Sequence, residues 1–91
     1  MYYAYVIKSL IKKWVYIGCT DDLRRRIQQH QAGKTSSTKP YRPFKLIYYE
    51  AYLSKADARK REYQLKHHNQ SKELLLKQVE NSLNMALSSN G

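Results

Sequence analysis

Five polar side chains fall where the local sequence pattern predicts an inward or shared face: Tyr5, Tyr16, Arg26, His30 and Glu62. An apolar core rarely holds such residues, and ionisable groups kept there usually have a chemical task. Glu62 is the clearest case, because a carboxylate in an inward-facing stripe needs a cation beside it. Either Arg26 or a bound metal ion would supply that cation.

The two tyrosines belong to a predicted β-hairpin. Residues 2–8 and 13–18 are rich in aromatic and β-branched types, which favour strands. We expect a register that places Tyr5 directly opposite Tyr16, so that the two Cβ atoms lie roughly 5 Å apart on one face. A slip of a single residue would separate the two phenols onto opposite faces of the sheet.

A helix should follow the hairpin, with Thr20 as its N-cap and Gly33 as its stop after about Ala32. Its apolar stripe consists of Leu23 and Ile27, four residues apart.

The three consecutive arginines of this helix are not equivalent. At 3.6 residues per turn, Arg26 and His30 fall beside the apolar stripe, whereas Arg24 and Arg25 point away from it. Arg26 should therefore lean toward the body of the domain, and its two neighbours should be solvated.

Glu62 lies on a second predicted helix, which opens at Ser54 after a loop (33–43) and a strand (44–53). The inward face of this helix should carry Ala58, Glu62 and Leu65 at the spacing i, i+4, i+7.

A third helix is expected from Ser71, its cap, with apolar residues that include Leu75, Val79 and Leu83. The element order β-β-α-β-α-α then predicts an α+β domain, a three-stranded antiparallel sheet flanked by helices. We expect a single domain over residues 1–83 and a frayed tail over 84–91.

Charge and composition limit the partners. The 91-residue chain carries a net charge of +10, which points to a polyanion such as nucleic acid. No stretch of about 18 apolar residues predicts a membrane span. The lone Cys19 excludes an internal disulfide and, with no signal-peptide pattern, favours the cytoplasm.

Eight cations are candidates for nucleic-acid contact. The hydroxyl-rich loop carries three of them, a composition suited to phosphate; the other five lie on the first two helices. The candidates are Arg24, Arg25, Lys34, Lys39, Arg42, Lys60, Arg61 and Lys66.

The five polar residues, in this order and on these elements, resemble the GIY-YIG nuclease family. Tyr3-Ala4-Tyr5 is similar to the first signature triplet, and Tyr16-Ile17-Gly18 is the second one intact. Arg26 stands ten residues after Tyr16, the spacing of that family, and His30 and Glu62 match further family positions. The likeness is strongest to small, stand-alone, largely uncharacterised bacterial members.

This resemblance implies a function and a role for each residue. Glu62 would hold one Mg²⁺ or Mn²⁺ ion, Arg26 would grip the scissile phosphate, Tyr5 and Tyr16 would position or deprotonate the attacking water, and His30 would share the proton handling. The implied activity is a divalent-metal-dependent endonuclease acting on DNA with weak sequence preference. Branched or damaged DNA, and thus repair or recombination, would be its setting.

Other interpretations remain open at this level. The tyrosines could be ordinary strand packing, Arg26 and Glu62 a structural ion pair, and His30 a histidine with a satisfied ring. The chain could then be a nucleic-acid-binding module without turnover, or an interaction protein with a basic face. RNA instead of DNA, and the oligomeric state, are also open.

Overall fold

The computed structural model describes residues 1–88, and these form one antiparallel three-stranded sheet with helices on both faces. The strands are β1 (Tyr2–Ser9), β2 (Val15–Thr20) and β3 (Phe44–Tyr52), in the spatial order β2-β1-β3. The helices are α1 (Leu23–Gln31), α2 (Lys55–His67), α3 (Asn69–Gln78) and α4 (Glu80–Ser88), and a 3₁₀ turn spans Lys39–Tyr41. The predicted α+β class and sheet are confirmed.

The central strand β1 separates two apolar clusters, because successive side chains of a strand point to opposite faces. On one face, Tyr5 and Ile7 pack with Phe44 and with partly buried residues that include Leu23 and Ile27 of α1. On the other face, the buried residues that pack together are Val6, Ile17, Leu65 of α2 and Leu75 of α3. The sheet is thus covered by α1 on one side and by α2–α4 on the other.

The predicted register of the hairpin is wrong, but the predicted face is right. Tyr5 pairs with Gly18, and Tyr16 pairs with Ile7. The shift from Tyr16 to Gly18 is two residues, and an even shift returns every side chain to its original face. At the turn between the strands, the Lys8 ammonium donates to the carbonyls of Ser9 and Lys12, each at 2.6 Å.

The start of α1 also differs from the prediction. Thr20 ends β2, and the N-cap is Asp22, whose carboxylate accepts a hydrogen bond from the backbone N–H of Arg25 at 3.1 Å. Asp22 has the extended backbone that an N-cap requires (φ −137°, ψ 91°). The predicted end is confirmed, since Gly33, just after the C-cap Ala32, has φ +76°.

The C-terminal helical region is two helices rather than one. A change of backbone direction at Val79 (φ −105°, ψ 23°) separates α3 from α4. Ser71 lies inside α3 and does not cap it, because the helix already begins at Asn69. The predicted boundary at residue 83 falls within α4, so residues 84–88 are helical rather than frayed. Residues 89–91 lie outside the described part of the chain.

The segment between α1 and β3 is more ordered than the plain loop that was predicted. Thr38 is fully buried, and the 3₁₀ turn follows it. The Gln31 amide forms two hydrogen bonds with the backbone of Phe44, donating at 2.6 Å and accepting at 2.8 Å. Both ends of the segment are therefore fixed.

Across residues 1–88, no helix is both long enough and apolar enough to cross a membrane.

Candidate active site

A cleft of about 430 Å³ opens between α1, the end of β2 and α2. Arg26 enters it from α1 and Glu62 enters it from α2. The cleft therefore presents a guanidinium and a carboxylate from separate elements to the same space. The other residues that line it are Tyr2, Cys19, Thr20, Asp21, Asp22, Arg25, Gln29, Lys55 and Arg59.

The two tyrosines and the histidine form a compact aromatic group and do not themselves line this cleft. Ring centroids lie 6.4 Å apart for Tyr5 and Tyr16, 5.8 Å for Tyr5 and His30, and 5.1 Å for Tyr16 and His30. Tyr5 and His30 are completely buried, whereas Tyr16 is half-buried. Because Tyr16 is the partly exposed member, it is the better placed of the two phenols to meet a water molecule.

A chain of hydrogen bonds fixes the protonation pattern of this group. The Thr38 hydroxyl donates to the carbonyl of Thr35 at 3.3 Å, so its oxygen is left to accept the N–H of His30 Nδ1 at 2.9 Å. His30 Nε2 is then the acceptor for the Tyr5 phenol at 2.7 Å. Burial, with a smaller effect from Arg26, lowers the pKa of His30 to about 4, so the ring is neutral at pH 7.

Tyr5 is correspondingly held in its protonated form. Burial raises the pKa of Tyr5 to about 12, although the neighbouring Arg26 opposes the shift. Its proton is committed to His30, and its oxygen faces the guanidinium. In the resting protein, Tyr5 therefore orients its neighbours and is a poor base for an attacking water.

Arg26 links the aromatic group to the cleft. Hydrogen bonding with the Tyr5 phenol raises the pKa of Arg26 and outweighs the cost of partial burial, and Tyr16 acts in the same direction. Arg26 Nη1 also donates to Gln29 Oε1 at 3.2 Å. As the sequence predicted, Arg26 is half-buried while Arg24 and Arg25 are exposed.

The glycine of the triplet Tyr16-Ile17-Gly18 has a steric reason. The Tyr5 ring crosses directly over it, and a Cβ at this position would lie 2.3 Å from the Tyr5 hydroxyl oxygen and 2.4 Å from Cζ. Real Cβ atoms essentially never approach other atoms so closely. Glycine is therefore required so that the phenol can lie flat against β2 and reach His30.

The predicted inward face of α2 is confirmed for Ala58 and Leu65, and the side chain that pairs with Glu62 is Lys66 rather than Arg26. Ala58 and Leu65 are buried, and Glu62 is half-buried. Its Oε2 pairs with Lys66 Nζ at 3.3 Å, one turn further along the helix. The same ammonium lies 5.4 Å from the centroid of the Tyr16 ring.

The residues present fit a divalent ion only as a site completed by substrate. In residues 1–88, no three His, Cys, Asp or Glu side chains come together as a metal cage. Mg²⁺ commonly takes one or two carboxylates and leaves its other positions to water and phosphate oxygens. Glu62, part of the cleft wall with its side chain 24% exposed, meets that description.

Two of the predicted nucleic-acid contacts are engaged elsewhere. Arg61 is not a solvated, outward-facing charge, because its Nε lies 3.0 Å from both carboxylate oxygens of Glu50. Glu50 also accepts hydrogen bonds from Tyr48 and Tyr52. Arg42 packs over Gly33 and donates from Nε to the carbonyl of Lys39 at 3.1 Å.

The remaining candidates have exposed side chains, and one of them, Arg25, lines the cleft. The exposed set is Arg24, Arg25, Lys34, Lys39, Lys60 and Lys66.

Sequence reasoning missed two cations of the cleft, Lys55 and Arg59. A signal was available, because these residues stand at i, i+4 and i+7 with Glu62 and so share one side of α2. Cys19 also lines the cleft, and its thiol pKa is raised by burial and by the Glu62 carboxylate.

Residues 1–75 match the model of a family described as the GIY-YIG catalytic domain. The chain is 38% identical over 76 residues to the UPF0213 protein of Lactiplantibacillus plantarum. The matched region covers 80% of this chain and 74% of that protein. It is 36% identical over 83 residues to the UPF0213 protein YazA of Bacillus subtilis, covering 89% and 83%. The solution NMR structure of the UPF0213 protein BH0048 from Bacillus halodurans is 32% identical, with a TM-score of 0.51 over 81% of each chain.

Proposed function

The chain belongs to the GIY-YIG catalytic domain family, and from that premise we propose that it is a divalent-metal-dependent endonuclease that hydrolyses DNA. The observation that carries the proposal is the cleft, where Arg26 and Glu62 face the same space from two helices. Family membership supports a nuclease fold, and the net charge of +10 supports a polyanionic substrate. The metal, the substrate and the roles below are the proposed part.

Arg26 would bind the scissile phosphate. Its planar guanidinium suits two parallel hydrogen bonds to phosphate oxygens, and it is always charged. Tyr5 and Gln29 hold it in place before substrate arrives, which lowers the cost of ordering the side chain on binding. Tyr5 and His30 therefore act mainly as positioning residues in this scheme.

Tyr16 would orient the attacking water, since it is the half-buried phenol next to Arg26 and Lys66. Glu62 would hold Mg²⁺ or Mn²⁺ together with oxygens of the bound phosphate. Held by Glu62, such an ion would supply positive charge for the phosphate and lower the pKa of a bound water. His30, neutral and hydrogen-bonded to Tyr5, would hold that phenol in position beside Arg26.

DNA would be held mainly by cations on its phosphates. Arg25, Lys55 and Arg59 line the cleft. Further cations are exposed elsewhere and would add phosphate contacts: Arg24, Lys34, Lys39 and Lys60. Phosphate contacts fix position and carry little sequence information, so we expect weak sequence preference. Branched or damaged DNA remains the proposed substrate, with RNA as the alternative to be compared.

The experiment compares cleavage by wild type and Glu62→Gln. Supercoiled plasmid, a branched DNA junction and an RNA of the same sequence are incubated with Mg²⁺ or Mn²⁺. We expect wild type to nick DNA and Glu62→Gln to lose on the order of 100-fold or more, as when one electrostatic stabiliser of a transition state is removed. Asp57→Asn is the matched control, because Asp57 is an exposed carboxylate on the same helix.

Absence of cleavage by wild type under every condition, or equal cleavage by Glu62→Gln, would reject the nuclease. A second candidate, a nucleic-acid-binding module without turnover, would then stand. One observation favours it: Glu62 already has a counter-ion in Lys66, so the fold is electrically satisfied without metal. That module would bind DNA with a logarithmic salt slope of about −0.9 per phosphate contact, and Glu62→Gln would leave its affinity intact.

A further inference from the structure

We propose that Lys66 is a built-in competitor of the divalent ion: its ammonium occupies the Glu62 carboxylate and must leave before metal can load. The inference rests on the proposed role of Glu62 as metal ligand. It gives Lys66 a role different from the DNA contact that its charge alone suggested.

The contacts of Lys66 come from two elements. Along α2, its Nζ lies 3.3 Å from Glu62 Oε2 at the i, i+4 spacing that brings side chains together on a helix. Across to β2, the same Nζ lies 5.4 Å from the centroid of the Tyr16 ring, within the distance of a cation–π interaction. One ammonium therefore joins the proposed metal ligand to the proposed water-orienting phenol.

Lys66 is well suited to leave, whereas a fixed structural cation would not be. Its side chain is 38% exposed, and that of Glu62 is 24% exposed. Among the Lys and Arg residues that the structure describes, Lys66 forms the ion pair with Glu62. Lys55 and Arg59 line the cleft with Glu62 but form no ion pair with it. The flexible stem of a lysine can swing its charge into solvent or onto a phosphate at little cost.

Competition follows from electrostatics. A divalent ion at Glu62 would lie next to the ammonium, and two like charges at that separation repel each other. Metal binding therefore has to displace an ion pair, which weakens the apparent metal affinity by the strength of that pair. An exposed pair of this kind is typically worth a factor of up to about five in a binding constant. The displaced ammonium would remain next to the substrate phosphate.

The test measures direct binding of Mn²⁺ in the absence of nucleic acid. Binding is detected as a loss of the electron paramagnetic resonance signal of free Mn²⁺. The proteins are wild type, Lys66→Met and Lys77→Met. Lys77 is exposed on α3, so its variant removes the same charge from a site away from the cleft. We expect Lys66→Met to bind Mn²⁺ about fivefold more tightly than Lys77→Met. Lys66→Arg, which keeps the cation, should stay within about twofold of wild type.

Equal Mn²⁺ affinity of Lys66→Met and Lys77→Met, or weaker binding by Lys66→Met, overturns the proposal. Lys66→Gln is measured in parallel, and circular dichroism shows that each variant is folded, so a misfolded protein cannot imitate either result. The outcome is independent of turnover: wild type that binds Mn²⁺ but cuts nothing defeats the nuclease alone. If no variant binds Mn²⁺, both the metal role of Glu62 and the competition by Lys66 are wrong.

Discussion

Replacing Gly18 with alanine should damage the site through the phenol of Tyr5. Gly18 is the cross-strand partner of Tyr5, and the Tyr5 ring lies over the position that a Cβ would occupy. The added atom would lie 2.3 Å from the hydroxyl oxygen, 2.4 Å from Cζ and 2.8 Å from Cε1, against 3.4–4 Å for an ordinary contact. The ring must therefore move by about 1 Å, a distance that breaks its hydrogen bond with His30.

The cost has two parts. Tyr5 is completely buried among tightly packed rings, and an extra methyl group in such a core typically costs about 1–3 kcal/mol. Loss of the phenol leaves His30 Nε2 buried without its donor, which costs roughly 1–3 kcal/mol more. We expect the free energy of unfolding to fall by about 2–6 kcal/mol, a large share of the 5–15 kcal/mol typical of a small domain.

The assay is urea unfolding followed by fluorescence of Trp14, the single tryptophan, which stacks on Tyr41 with ring centroids 4.0 Å apart. A double-mutant cycle with Tyr5→Leu isolates the clash, because the shorter side chain leaves room for the new methyl group. Gly18→Ala should cost less than about 1 kcal/mol in that background. An equal cost in both backgrounds, or a cost below about 0.5 kcal/mol in the wild-type background, would refute this account of Gly18.

Two further predictions concern buried charge. Because the pKa of His30 is about 4 in the fold against 6.5 for a free histidine, the unfolded chain takes up the proton first as the pH falls. The free energy of unfolding, measured by urea unfolding, should therefore drop by about 2 kcal/mol between pH 7 and pH 5. A His30→Gln variant that shows the same drop would contradict this prediction. Arg61→Ala should lower the free energy of unfolding by about 1.5–3 kcal/mol, because Glu50 loses its cation, and should leave the salt slope of DNA binding unchanged. Arg25→Ala should instead reduce that slope by about one with little loss of stability. A reduced slope with unchanged stability for Arg61→Ala would show that Arg61 contacts DNA and does not stabilise the fold.

The fold was predictable because its signals are local. Strand and helix periods, Gly33 as a stop and the buried spacing of Ala58 with Leu65 are all written in short stretches of sequence. The family resemblance is confirmed by the match over residues 1–75. The roles of the individual site residues stay predictions, although the structure brings Arg26 and Glu62 to one cleft.

What failed depended on side-chain contacts that strand and helix periods do not encode. Where the hairpin register departs from the prediction, the Lys8 ammonium bonds the carbonyls of Ser9 and Lys12, and no strand pattern encodes those contacts. The expectation that Arg61 is a solvated charge was wrong, because its partner, Glu50, lies on a strand eleven residues earlier. Periodicity did hold a hint, since Arg61 is one turn from buried Leu65 and three residues from buried Ala58. Charge alone does not distinguish a solvated arginine from a paired one.

The sheet order β2-β1-β3 has a consequence for synthesis of the chain. The first strand made is the middle one, and it gains its second neighbour only when residues 44–52 have left the ribosome. Arg26 is made before β3 and Glu62 after it, on helices that cover opposite sides of that sheet. A nascent chain that stops before α2 would hold the phenols and the guanidinium but lack the carboxylate. The proposed site would thus be incomplete during most of translation and be assembled only once α2 has been made.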